Sequence, residues 1–188
     1  MKENIKFLGV TLIAMFALIL ATSFSTNNIS LSEESKDGIN YEATVCRQIT
    51  RADGTIEPTE CSHNLLTNAG ANASRDLLGN VGGAAFDWIG LCNASITCAT
   101  PAITDTTLSN EITTGGLDRA QGTYAVVAGA GNWTISKTFT ADSDNILTNS
   151  TGLFNATSGG TMLAENSFTL ATLQTDDTIA LTWQINLA

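Results

Sequence analysis

The sequence predicts an all-β protein, a two-sheet antiparallel β-sandwich of jelly-roll type with one short helix, preceded by an N-terminal hydrophobic leader helix. Its last stretch, residues 177–188, alternates five large apolar residues with small or polar ones, which is the period of a strand lying on a core. Threonine occurs 28 times and lysine four times, a balance that suits exposed sheet better than exposed helix. Turns rich in Gly, Asn, Asp and Ser separate about eight such strands, and a sandwich closes them around one core.

The start of the chain is typical of a secretory leader. Lys2 and Lys6 precede an apolar run over residues 7–21, and Ser23 is a small residue suited to a cleavage site. A retained hydrophobic anchor is the alternative, although a run of this length spans about 22 Å and the hydrocarbon core measures ~30 Å. The predicted organisation is a signal peptide or anchor over residues 1–23, a flexible arm over 24–39 and a β-sandwich domain over 40–188.

Charge and glycosylation motifs indicate where the protein acts. Acidic residues outnumber basic ones 18 to 8, and the net charge of −10 argues against nucleic acid and anionic membranes as partners. Asn-x-Ser/Thr motifs support export and predict an extracellular or cell-surface location. The candidate glycosylation sites are Asn28, Asn72, Asn93, Asn132, Asn149 and Asn155.

The first predicted element of the domain is a hairpin. Residues 40–51 alternate as a strand, and Asp53-Gly54 predicts a two-residue type I′ turn into a returning strand over residues 56–65. Counting back from that turn places Cys46 opposite Cys61, at a wide hydrogen-bonded position where a bulge would be needed.

Oxidation in an exported chain predicts the disulfide Cys46–Cys61 and leaves Cys92 and Cys98 as the second pair. Zinc is the alternative ligand for these cysteines and His63, but the paired C-x-x-C spacing of a zinc site is missing.

The one predicted helix of the domain covers residues 68–78. Asn68 is its predicted N-cap, Gly79 its stop, and Ala69, Ala73 and Leu77 share the face expected to pack.

Further strands are predicted at residues 84–92, 122–127, 133–141, 145–154 and 162–173. Residues 93–105 are a predicted loop, a polar run follows over residues 106–116, and residues 129–132 are the predicted turn of a second hairpin. Lys137 interrupts the apolar face of the strand that follows this turn.

Several short segments in order resemble a family of β-sandwich domains found in bacteriophage tail-fibre and tail-tip proteins and in secreted archaeal surface proteins. They are Asn64-Leu65-Leu66-Thr67-Asn68-Ala69-Gly70, Trp88-Ile89-Gly90-Leu91, Thr107-Leu108-Ser109-Asn110-Glu111, Gly152-Leu153-Phe154, and Phe168 leading to Trp183. The resemblance covers the chain from about Asn64 onward. It implies surface display, self-assembly or receptor contact, and it brings no catalytic residues. The leader and the cysteine hairpin favour the cellular surface branch over the phage members.

Few residues suit catalysis or metal binding, so we predict that the protein is not an enzyme and carries no cofactor. His63 is the single histidine and lies beside a predicted disulfide, which disfavours a triad. A second candidate is a Ca²⁺ site at Asp142, Asp144 and Asn145, but it lacks the glycine and distal Glu of an EF-hand, and a solvated turn is preferred. The third is a buried polar network or isopeptide crosslink of Glu111, Glu165 and Lys137, with simple surface charges as the favoured alternative.

Two functions remain open at this stage. The first is a structural subunit of an extracellular filament or pilus-like appendage, in which the arm over residues 24–39 adds as a strand to a neighbour's open sheet edge and the chain polymerises with itself. The second is a receptor- or carbohydrate-binding adhesin that contacts surface glycans. An adhesin requires Trp88, Trp133 or Tyr124 to be exposed for stacking, whereas a structural subunit buries them.

Overall fold

A computed structural model describes residues 40–126 and 131–187, in which ten strands and one helix form two packed antiparallel sheets. The first half of the domain contains β1 (Tyr41–Thr50), β2 (Glu60–His63), β3 (Leu65–Leu66), α1 (Asn68–Leu78), β4 (Trp88–Leu91) and β5 (Ala120–Gln121). The second half contains β6 (Thr123–Val126), β7 (Asn132–Thr140), β8 (Ile146–Phe154), β9 (Met162–Leu173) and β10 (Thr178–Leu187). The predicted sandwich is confirmed. The predicted leader, arm and Asn28 lie outside the described residues, as do residues 129 and 130 of the predicted turn at residues 129–132.

Each sheet has five strands. The order is β2-β1-β10-β7-β6 in the first sheet and β3-β9-β8-β4-β5 in the second. The last strand, β10, lies in the middle of the first sheet, where Trp183 pairs with Val45 on one side and Ile135 on the other. Trp183 is fully buried, and the predicted inward face of the last strand is confirmed with it.

The first hairpin has a different turn from the predicted one. Of its turn residues only Gly54 has a positive φ, 85°, whereas a type I′ turn needs positive φ at both central positions. Arg51 N–H donates to Thr55 O at 2.8 Å and Gly54 N–H to Arg51 O at 2.9 Å. The turn therefore contains three residues, and its glycine occupies the left-handed position.

The disulfide pairing is nevertheless confirmed, because a bulge restores the predicted register. Thr50 pairs with Ile56 beside the turn, and Cys46 pairs with Cys61 further along. The returning strand therefore contains one more residue than β1 over this interval, which includes Pro58, a residue without an N–H to pair. The Cα atoms of Cys46 and Cys61 lie 4.1 Å apart, the narrow spacing of a non-hydrogen-bonded pair.

The second predicted disulfide also forms. Cys92 and Cys98 are joined, with their Cα atoms 5.9 Å apart. Two disulfides in a chain of this size are typical of proteins that fold in an oxidising compartment outside the reducing cytosol.

The helix begins and packs differently from the prediction. Its N-cap is Thr67 rather than Asn68, because the Thr67 hydroxyl accepts a hydrogen bond from Gly70 N–H at 2.9 Å and donates to Met162 O at 2.7 Å. Gly70 is the buried residue of the helix, while Leu77, predicted to pack, is 39% exposed. Gly79 follows the helix as predicted. Among the helices of the described residues, none is long and apolar enough to cross a bilayer.

Most remaining strands lie where the sequence predicts them. The strands predicted at residues 145–154 and 162–173 match β8 and β9, and β4 is shorter than predicted. The returning strand of the first hairpin is divided into β2 and β3, which lie in different sheets. The chain thus crosses from one sheet to the other at Asn64, whose N–H still donates to Ala43 O at 3.2 Å.

Candidate functional site

Strand β6 forms an open edge of the first sheet. It pairs with β7 on one side, and none of its backbone groups bonds to a described residue on the other side. All four of its side chains are exposed. Residues 122–136 contain neither a charged residue nor a proline, the two residue types that commonly protect a free sheet edge.

Two large apolar side chains of β6 belong to the inward face but are uncovered. Tyr124 pairs with Ile135 and Val126 with Trp133, so both point to the side of the sheet that carries the core. Tyr124 is nevertheless 60% exposed and Val126 70% exposed. The second sheet therefore ends before it covers this part of the first sheet.

An apolar groove extends from Tyr124 toward the helix. It has a volume of about 530 Å³ and lies at the end of the sandwich where β1 starts and β10 ends. Its walls include Tyr41, Leu77, Leu78, Phe86, Trp133 and Leu187. An exposed apolar surface of this kind is typical of a site that contacts another chain.

The other described edges are short or are covered by contacts with the second sheet. On β2, the Glu60 carboxylate accepts from Thr169 N–H at 3.0 Å, and Asn166 Nδ2 donates to His63 O at 2.9 Å. Strands β3 and β5 have two residues each. Among the described strands, β6 is thus the edge best suited to accept a further strand.

The three residues of the predicted polar network do not come together. Glu111 forms a two-point ion pair with Arg119, with Nε to Oε1 at 2.6 Å and Nη2 to Oε2 at 2.5 Å. Glu165 bonds instead to Ser150, and the Lys137 side-chain amine makes no hydrogen bond or ion pair to a described residue. The isopeptide hypothesis is therefore not supported, because it requires the lysine amine beside a carboxyl group. The preferred alternative of surface charges also fails for Glu165, which is 2% exposed.

Glu165 is a buried carboxyl group with an altered pKa. The Ser150 hydroxyl donates to its Oε1 at 2.9 Å. Burial raises the pKa of Glu165 to about 7, and the nearby Asp105 carboxyl acts in the same direction. Since the folded pKa lies above the ordinary value of 4.5, the folded protein holds this proton more strongly than the unfolded chain does.

We expect stability to fall as this carboxyl group ionises. The stabilising contribution is complete below about pH 4.5 and is lost as the pH rises through about 7. Glu165→Gln keeps the shape and cannot ionise, so its free energy of unfolding should lose this pH dependence and exceed that of the wild type at pH 8. Urea unfolding from pH 4 to 8 measures both the pH dependence and the difference between the two proteins at pH 8. Ser167→Ala, an exposed change on the same strand, should keep the wild-type dependence of the free energy of unfolding on pH. The same dependence in Glu165→Gln would show that Glu165 is not its source.

The candidate glycosylation sites differ in accessibility. Asn72 lies on the exposed side of α1. The Oδ1 atoms of Asn93 and Asn155 accept backbone N–H groups at 3.0 and 2.7 Å, while those of Asn132 and Asn149 are buried without a described partner. Among the candidate sites that the structure describes, Asn72 is therefore the most open to modification, and glycosylation itself remains a prediction.

The other candidate residues lie apart from the groove. Asp144 Oδ1 accepts from Thr175 N–H at 2.9 Å and from its hydroxyl at 2.8 Å, and these bonds outweigh burial and lower the pKa of Asp144. Asn145 has a φ of 60° and bonds Gln174. These contacts are those of a turn. In the described ranges no group of three His, Cys, Asp or Glu side chains could share a metal ion. His63 is exposed on β2, opposite Thr44.

The aromatic residues give a mixed answer on exposure. Trp88 and Trp133 are half-buried and pack against the two core clusters. Tyr124 is exposed, in the edge strand beside the groove.

Comparison of the chain with family models, with curated proteins and with solved structures finds no match. The resemblance to phage and archaeal surface domains accordingly stays a prediction from sequence.

Proposed function

We propose that the protein is a secreted structural subunit of an extracellular filament or pilus-like appendage, assembled through β-strand addition. The observation that carries this proposal is the open β6 edge, with inward Tyr124 and Val126 uncovered beside an apolar groove. A free edge without charge or proline exposes a monomer to uncontrolled association, so a partner strand is expected to cover it. The two disulfides agree with assembly outside the cytosol.

Deletion of the arm tests this proposal. Removing residues 24–40 should leave a secreted, folded protein that stays monomeric, because the strand that joins subunits is lost while the sandwich keeps its own strands. Negative-stain microscopy and size-exclusion chromatography measure the outcome. A synthetic peptide of the same residues should stop the growth of wild-type filaments.

The matched control keeps the length of the arm. Replacing only residues 33–38, an acidic and polar stretch, with glycine and serine should preserve polymerisation. Unimpaired filaments from the deletion variant would exclude strand addition through the arm. Wild-type protein that forms no fibres under any condition would exclude the filament itself.

A second candidate function is a glycan-binding adhesin, which the exposure of Tyr124 favours. An exposed aromatic ring next to a groove is a suitable surface for stacking against a sugar. Trp88 and Trp133 are less suitable because both are half-buried. Binding of soluble monomer to a glycan array, lost in Tyr124→Ala, would favour the adhesin over the filament.

A further inference from the structure

The open edge and groove define what should fill them. We infer that residues 28–32 of a neighbouring subunit add alongside β6, with Ile29 and Leu31 inserted into the groove. This inference rests on the proposed function and names the donor segment, the acceptor strand and the copy that supplies the donor.

The acceptor site selects a strand with alternating apolar residues. Tyr124 and Val126 are two residues apart, so their side chains lie on the same face of β6. A strand added beside them would place every second side chain over that face, next to Leu77 and Leu78 of the helix. Small or polar residues would occupy the alternate positions, which face solvent.

The arm contains one such pattern. Ile29 and Leu31 alternate with Asn28, Ser30 and Ser32, and residues 23–32 carry no charge. An uncharged segment suits an uncharged edge, since a charge inserted into an apolar groove would be costly to desolvate. The alternation also places Asn28, a candidate glycosylation site, on the solvent side, where a glycan would not obstruct docking.

The first strand limits where the donor can lie. Residues from Tyr41 onward already pair with β10 in their own sheet, so the donor must come from residues before 41. Tyr41 lines the groove, so the described part of the chain begins close to the acceptor site. The ten residues from Leu31 to Tyr41 reach at most about 36 Å when extended, which allows the donor to leave its own domain and contact the next.

Paired cysteine variants test the register of the added strand on β6 and which subunit supplies that strand. We would mix Ile29→Cys protein with Tyr124→Cys protein, let them assemble, oxidise, and map the products by non-reducing electrophoresis and mass spectrometry. A dimer joined between the two variants is expected. Ser30→Cys is the matched control and should lose the crosslink, because its side chain points to solvent.

Charge insertion provides a second readout. Val126→Lys should abolish elongation, because the added ammonium lies on the face that receives the donor side chains. Ala125→Lys places the same charge on the opposite face of the same strand and should keep assembly. Circular dichroism and thermal unfolding would show that both variants are folded.

The outcomes separate this inference from the proposed function. Filaments that form normally with Val126→Lys and yield no Ile29–Tyr124 crosslink would overturn the inference and leave the filament proposal standing. A crosslink found only within single chains of an Ile29→Cys/Tyr124→Cys double variant would show that each subunit covers its own edge, and would overturn exchange. A Ser30→Cys yield equal to that of Ile29→Cys would overturn the register.

Discussion

Arg119→Met is expected to destabilise the domain by about 3–5 kcal/mol, the range for removing one partner of a buried ion pair. The Arg119 side chain is 7% exposed and the Glu111 side chain 21% exposed. Besides this ion pair, Arg119 Nη1 donates to the carbonyls of Ala156 and Gly159 at 3.1 and 2.8 Å. The guanidinium also lies 3.5 Å from the centre of the Phe154 ring. The substitution therefore leaves a carboxylate and two carbonyls without their donor.

An exposed ion pair of the same kind supplies the control. Arg75 contacts Asp76 at 2.6 Å, with side chains 70% and 44% exposed. Arg75→Met should change the free energy of unfolding by less than about 1 kcal/mol, since exposed pairs contribute little. Chemical denaturation of both variants gives the comparison. A difference of under about 1 kcal/mol between them would mean that burial does not strengthen the Arg119 contacts.

The sequence predicts the strands with a clear period of two and the pairing of the cysteines. Five alternating apolar residues place β10 on the core, and the register counted from the hairpin turn places Cys46 opposite Cys61, where oxidation joins them. The turn type is wrong because local preference for Asp-Gly does not fix the number of turn residues. The sequence indicates that this hairpin needs a bulge but not where it lies, and the bulge near Pro58 changes the register by one residue.

Part of the core comes from a segment without strand periodicity. Leu108 and Ile112 are 4% and 5% exposed, and Leu117 is fully buried, although residues 106–116 look polar. Isolated apolar residues in a polar loop produce no alternating signal, so their burial depends on the tertiary fold. The Arg119–Glu111 ion pair cannot be predicted from the sequence for the same reason, because the folded conformation of the loop brings the two side chains together.

The candidate site is predictable only in outline. The arm and its position before the first strand suggest strand addition, but the sequence does not reveal which edge is free. In the structure β6 is the free edge of the first sheet, and the second sheet ends before it covers Tyr124 and Val126. Both residues also look like ordinary core positions, since their pattern is the one that predicts burial.

Gly70→Ala is expected to destabilise the protein by about 3 kcal/mol or more, the upper part of the range for overpacking a core. In most helix interiors this change stabilises by up to about 1 kcal/mol, because alanine has the higher helix propensity. Here a Cβ atom at Gly70 would lie 2.1 Å from the carbonyl oxygen of Leu163 and 2.6 Å from its Cα. Those are backbone atoms of β9, so α1 or the strand must move.

The direction of the change distinguishes the two effects. Asn72→Ala, at an exposed position of the same helix, should be neutral or slightly stabilising, because propensity acts there without a clash. Thermal and urea unfolding of both variants measure the difference. Displacement of α1 would also break the Thr67 contact with Met162 O, and it would widen the groove that Leu77 and Leu78 line. A stabilised Gly70→Ala protein would show that the helix does not pack on β9 through this glycine.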